Sequence, residues 1–138
     1  MSSADQRTAY RVYLYLAALF ITSLVVSNLI FQKFFYWRPF GDVTLFGAPL
    51  FEISVGVLPY PITFLITDLI SEIYGRKKAN RVVTAGIFAS FFSMGIVLLA
   101  NHVPAIKGSP VDDSLFSRVF ALSPIAVLAS MIDYLFAQ

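Results

Sequence analysis

Two acids stand four residues apart inside an apolar run, Asp68 and Glu72 in PYPITFLITDLISEIYG, and the basic segment RKKANR follows directly. A spacing of i, i+4 projects both carboxylates from one face of a helix. In a low dielectric, desolvation and mutual repulsion favour a shared proton over two charges. Such a pair has three uses: binding a proton or cation, accepting hydrogen bonds from a substrate's N–H groups, or bonding a neighbouring helix. An ionised carboxylate at the bilayer centre costs roughly 2.5 kcal/mol or more, so the pair calls for a buried polar role. Glu72 has a plainer alternative, because Arg76 lies i+4 from it and the acid can snorkel to the interface beside that cation.

Other polar residues recur at helical spacing. Ser23, Ser27, Asn28 and Gln32 form a stripe, and Asn28 and Gln32 each offer a carbonyl and an amide, the groups that read a nucleobase edge. Hydrogen bonding between helices inside the membrane is the competing explanation. Pro59 and Pro61 remove two backbone donors. They fit either a broken transporter helix or an ordinary helix start. Gly86-x-x-x-Ser90 and Ala89-x-x-x-Ser93 are small-residue seams for close helix approach. Asp133 is a further acid in an apolar run, and near the inner end it can reach water. His102 stands alone in a Pro/Gly-bearing loop, so a metal site is not expected. No GxSxG, HExxH, Walker or glycine-rich dinucleotide motif occurs; an enzyme and a cofactor are not expected.

These residues need a membrane scaffold. Hydrophobic residues make up 58% of the 138-residue chain, charged ones 13%, and mean hydropathy is +0.77. A soluble domain carries roughly 25% charged residues. The expected fold is all-α: one polytopic transmembrane helical bundle over residues 1–138, with spans of about twenty residues. They fall at 11–35, 54–74, 82–100 and 115–137. The connector Trp37 to Phe51 has turn signals on both sides of Val43–Phe46, which fits a short hairpin or a re-entrant turn. Asn101 to Asp113 reads as a polar loop, with Ser114 as a cap for the last helix. There is no cysteine and thus no disulfide or thiolate site. Met1 to Ala9 is polar and the next apolar run can span, so no cleavable leader is expected. Arg7, Arg11, Arg76, Lys77, Lys78 and Arg81 fall on one side, while Lys33, Arg38, Lys107 and Arg118 fall on the other, diluted by acids. That bias predicts cytoplasmic N- and C-termini. The fourth span stops at Gln138 without an anchor, as a C-terminally truncated chain would.

ITSLVVSNLI in the first span, PITFLITDLISEIYGRKKANRVV across the second, and the Tyr134…Ala137–Gln138 end resemble the queuosine precursor transporter family. This family is also called the vitamin uptake transporter family, and it is similar to the substrate-binding subunits of energy-coupling-factor importers. The resemblance implies a six-helix fold and import of the 7-deazaguanine bases preQ0 and preQ1 across the bacterial inner membrane. It points to Asn28, Thr67, Asp68, Glu72 and Gln138 as the substrate-binding residues. Carboxylates and amides suit the lactam, amine and ring N–H groups of such a base, and Phe64, Tyr60 or Tyr134 could stack on it. The implied partners are that base and the lipid bilayer, with no nucleic acid, and homo-oligomerisation stays open. Two rival classes stay open as well: a membrane scaffold or assembly protein, and a small oligomeric ion or proton channel.

Overall fold

A computed structural model describes residues 3–36, 44–45, 48–49 and 52–120, together with positions 125, 129 and 132. The chain begins with α1, Ser3–Ile30, whose apolar run continues the helix from an acidic first turn at Asp5. At about 1.5 Å per residue α1 is roughly 42 Å long, more than the hydrocarbon core of a bilayer. It ends at Ile30, short of the expected Phe35. The next aromatics instead form β1, Phe34–Tyr36, paired antiparallel with β4, Glu52–Ser54. Between them β2, Thr44–Leu45, pairs with β3, Ala48–Pro49. Among the described residues of the connector, the β2–β3 pair fits the hairpin alternative, and the aromatics of β1 favour the pleated backbone.

A 3₁₀ turn, Val55–Val57, follows β4 and is capped by the Ser54 hydroxyl, which accepts from the Gly56 N–H at 3.1 Å. The second long helix, α2, spans Tyr60–Tyr74, with Pro59 as its N-cap residue and Pro61 in its first turn. There a missing N–H costs nothing, since the first donors of a helix have no partner anyway. The prolines therefore start a helix and do not break one. Gly75, at φ +87°, then turns the chain directly into α3, Arg76–His102. This left-handed backbone is open to glycine. His102 is accordingly the last residue of α3, not part of the loop, and its Nδ1 donates to the Leu98 carbonyl at 2.8 Å. The last described helix is α4, Asp113–Phe120. Its cap is Asp112, not Ser114: the Asp112 carboxylate accepts from the Leu115 N–H and the Ser114 hydroxyl, both at 2.7 Å. Both residue types cap well, and here it is Asp112 that stands just before the helix, where its charge also suits the helix N-terminus. Most of the fourth expected span lies outside the described residues.

Among the described residues, three elements are long and apolar enough to cross a membrane: Asp5–Ile30, Val55–Tyr74 and Arg76–His102. The structure is an all-α membrane bundle with two small β pairs on the connector. Helix α2 runs antiparallel to α1, since Tyr74 at its end donates to the Ala9 carbonyl at 2.8 Å, while Gly56 before its start meets Ser27. Helix α3 runs parallel to α1, as successive contacts Tyr13–Lys78, Phe20–Gly86 and Asn28–Ser90 show. Phe20, Ile66, Ile70, Ala79 and Val82 form the common core. Gly86 is required there: a Cβ would come within 2.8 Å of the Phe20 ring and 3.1 Å of Leu24. The small-residue seam is a packing seam.

Candidate functional site

Helix α2 has two unlike faces. Thr63, Ile66 and Ile70 are buried against α1 and α3. The opposite side carries Tyr60, Phe64, Asp68 and Glu72, all exposed and each four residues from the next. Such spacing makes one stripe, aromatic at the helix start and acidic at its end. The Tyr60 and Phe64 rings stand 5.7 Å apart at 54°. Beside them Leu65 is 60% exposed and Phe64 62%. Asp68 therefore does not face the interior of the three-helix unit. It faces outward, toward whatever borders this side of α2.

Depth follows from the helix rise. Tyr74 marks the level of Ala9 and Tyr13, with its ring 5.4 Å from that of Tyr13. Glu72 lies two residues before it, roughly 3 Å deeper, and Asp68 six residues before, roughly 9 Å deeper. The hydrocarbon core is about 30 Å thick. Asp68 is thus well inside the apolar zone, roughly 6 Å short of the midplane, and Glu72 is close to the boundary. The alternative partnership of Glu72 with Arg76 along one helix does not form, because Gly75 ends α2 between them.

The remaining predicted residues separate. Thr67, half-buried at the flank of the stripe, donates its hydroxyl to the Thr63 and Phe64 carbonyls at 3.1 and 2.9 Å. Its one proton serves its own helix, leaving only oxygen lone pairs for a ligand. Asn28 belongs to the α1–α3 contact, where Nδ2 donates to the Ser90 hydroxyl at 3.4 Å. Asn28 joins α1 to α3, whereas Asp68 joins no other helix among the described residues. Gln138, Asp133 and Tyr134 lie outside the described residues.

Two features went unread in the sequence. At the end away from the basic cluster, a cavity of about 260 Å³ is lined by Asn101, Ser109, Asp112, Asp113 and Phe116, among others. Its polar groups are spent on the loop: Asp113 accepts from the Ala105 N–H at 2.9 Å, and Ser117 donates to Asn101 at 2.7 Å. Hydrogen bonds from Leu115 and Ser114 hold the Asp112 carboxyl below its ordinary value. At the opposite end, the Lys78 ammonium stands 5.3 Å from the Tyr74 ring and 5.5 Å from the Tyr13 ring. Paired tyrosines near a span end, followed by lysine, are the signal that could have found this clamp.

Comparisons with known proteins bear on the family. A family model described as "Putative vitamin uptake transporter" matches residues 54–138. A protein of Bacillus subtilis (strain 168), named "Probable queuosine precursor transporter", is 25% identical over 96 residues. The match covers 70% of this chain and 40% of that protein, so the chain spans less than half the length of the curated relative it matches. No solved structure matches. Since the family model takes in more than half of the chain, including the whole of α2 and α3, the chain belongs to the vitamin uptake transporter family.

Proposed function

We propose that the protein imports queuosine precursors, the 7-deazaguanine bases preQ0 and preQ1, across the bacterial inner membrane, with its N-terminus in the cytoplasm. The observation that carries this reading is the Tyr60–Phe64–Asp68–Glu72 stripe, which offers ring faces and carboxylates along one uncovered side of a membrane helix. A planar base stacks on an aromatic ring, and its ring N–H and amine donate to a carboxylate. An acid left facing hydrocarbon is expensive, so a polar occupant is needed where Asp68 points. The named relative and the family match support the substrate class. Asn28 is the weaker member of the proposed set, because its amide already bonds Ser90; Thr67 serves as an acceptor at the edge, and Glu72 holds the end nearest the cytoplasm. The gathering of six cations at the end where α1 begins supports the orientation.

The deciding experiment is uptake of labelled preQ0 by cells that make none of their own. Charge-assisted hydrogen bonds contribute about 1.5–3 kcal/mol. Asp68→Asn should therefore lower uptake by roughly tenfold or more at equal membrane abundance. Unchanged uptake removes Asp68 from the mechanism, and absence of any uptake by the parent protein removes the substrate class. A scaffold would bind no base, and a channel would conduct ions without one.

A further inference from the structure

We propose that the basic end of the bundle is a docking surface for anionic lipid headgroups, built from Arg7 and Arg11 on α1 and Lys77 and Arg81 on α3. All four are exposed. Arg7 and Arg11 are one turn apart, on the side of α1 away from buried Phe20. Lys77 and Arg81 are likewise one turn apart, on the side of α3 away from buried Ala79. The two helices run parallel and touch along their length, so both pairs lie toward the same end of the bundle, with Arg11 and Lys77 at one level.

Their height fits the phosphate layer. Val12–Ile30 and Val82–Ala100 are each free of charged residues. At about 1.5 Å per residue each stretch is roughly 28 Å long, the thickness of the hydrocarbon core. The four cations begin where that stretch stops. Helix stability does not explain Lys77, since a cation in a first turn opposes the macrodipole and that turn holds no acid. Lys78 is a separate case, because its ammonium is held over Tyr13 and Tyr74. It clamps the three helices and leaves the rim to its neighbours. The acids at this end are Asp5 and Glu72, against six cations. The described residues at the other end balance, with Lys33, Lys107 and Arg118 against Glu52, Asp112 and Asp113. Topological bias needs only a count of cations in the loops. A docking surface needs them exposed on the outer faces of adjacent helices, as they are here. The proposal rests on the bundle spanning a membrane and is independent of what it transports.

The test is native mass spectrometry of the chain from mixed micelles holding phosphatidylglycerol and phosphatidylcholine in equal amounts. Each cation near an anionic surface contributes about a fivefold preference. Phosphatidylglycerol should be retained about tenfold or more over phosphatidylcholine, and the ratio should fall toward one in R7Q/R11Q/K77Q/R81Q. The control K33Q/K107Q, altered at the opposite end, should keep it. Should the fourfold variant fail to fold, a salt series on the parent chain decides, since the preference must decline steeply as ionic strength rises. Equal retention of both lipids, a preference that survives the fourfold change or high salt, or displacement by millimolar inorganic phosphate would each overturn the proposal.

Discussion

Replacing Gly56 by alanine tests whether the start of α2 is held against the end of α1 as closely as the structure requires. A Cβ at this position would lie 2.8 Å from the Phe31 Cβ, 2.8 Å from the Ser27 carbonyl oxygen and 3.0 Å from the Phe31 Cα. None of these is the end of a flexible side chain. They cannot yield singly, because the Ser27 hydroxyl donates to the Gly56 carbonyl and the Ser54 hydroxyl to the Phe31 carbonyl. Relief requires α1 and the 3₁₀ turn to part. Overpacking of this kind costs about 1–3 kcal/mol, and a weakened hydrogen bond adds about 0.5–1.5 kcal/mol. The stiffer unfolded chain returns about 0.4–1 kcal/mol. The net expectation is destabilisation by about 1–3 kcal/mol, or a melting temperature lower by roughly 3–10 °C in detergent. Gly95→Ala is the internal control. Nothing lies within 4 Å of its Cβ position in the middle of α3, so helix propensity alone should leave it neutral or stabilised by up to about 1 kcal/mol. Equal melting of the two variants would refute the close approach of α1 to the turn.

Three further outcomes follow from the same packing. Tyr74→Phe removes the hydroxyl that donates to the Ala9 carbonyl at 2.8 Å but keeps the ring contact with Tyr13; it should cost about 0.5–1.5 kcal/mol, Tyr74→Leu should cost more, and identical melting of both with the parent would sink the clamp. Asn28→Ala and Ser90→Ala should each cost about 0.6 kcal/mol, with a double variant no worse than either; strict additivity would show that the 3.4 Å contact carries no coupling. For Asp112, the folded carboxyl titrates below its ordinary value of 3.8, so its contribution to the cap of α4 is present above that pH and is lost as acid takes it through the folded value. Amide exchange at Leu115 should accelerate on acidification in the parent beyond its intrinsic pH dependence and be insensitive in Asp112→Asn; a matched response in the two would refute the capping role.

Much of the fold could be read from hydropathy, because a bilayer forces long apolar segments into helices and leaves few alternatives. The second membrane element lies on its apolar run, and the third takes in its apolar run and extends past it to Arg76 and His102. What hydropathy misses is where a helix stops. Phe34 and Phe35 are as apolar as the residues before them, yet pairing with Ser54 and Ile53 takes them into a strand. A window average cannot see a partner some twenty residues away. The cap of α4 was misplaced for the opposite reason, because Ser114 and Asp112 are both good caps and only the local backbone decides between them. Gly75 shows how much one residue can change. An i, i+4 pair drawn through Glu72 and Arg76 assumes a continuous helix, and a glycine with φ of +87° ends it.

The candidate site was legible in kind, since the run Tyr60, Phe64, Asp68, Glu72 is an arithmetic progression that any helix converts into a stripe. Its surroundings were not, because a sequence does not say which side of a helix its neighbours take. The α2 core face is claimed by Ile66, 2% exposed, and Ile70, fully buried. With those two turned inward, helical geometry leaves Asp68 no choice but the opposite side, about 200° around the axis from each. The same geometry links the fate of the acid to its apolar neighbours. Turning α2 to hide Asp68 among α1 and α3 would expose Ile66 and Ile70 and push Leu65 and Phe64 out of their present place. The core and the stripe are therefore one decision of the helix, and a ligand for Asp68 has to approach from the side that Phe64 and Tyr60 already line.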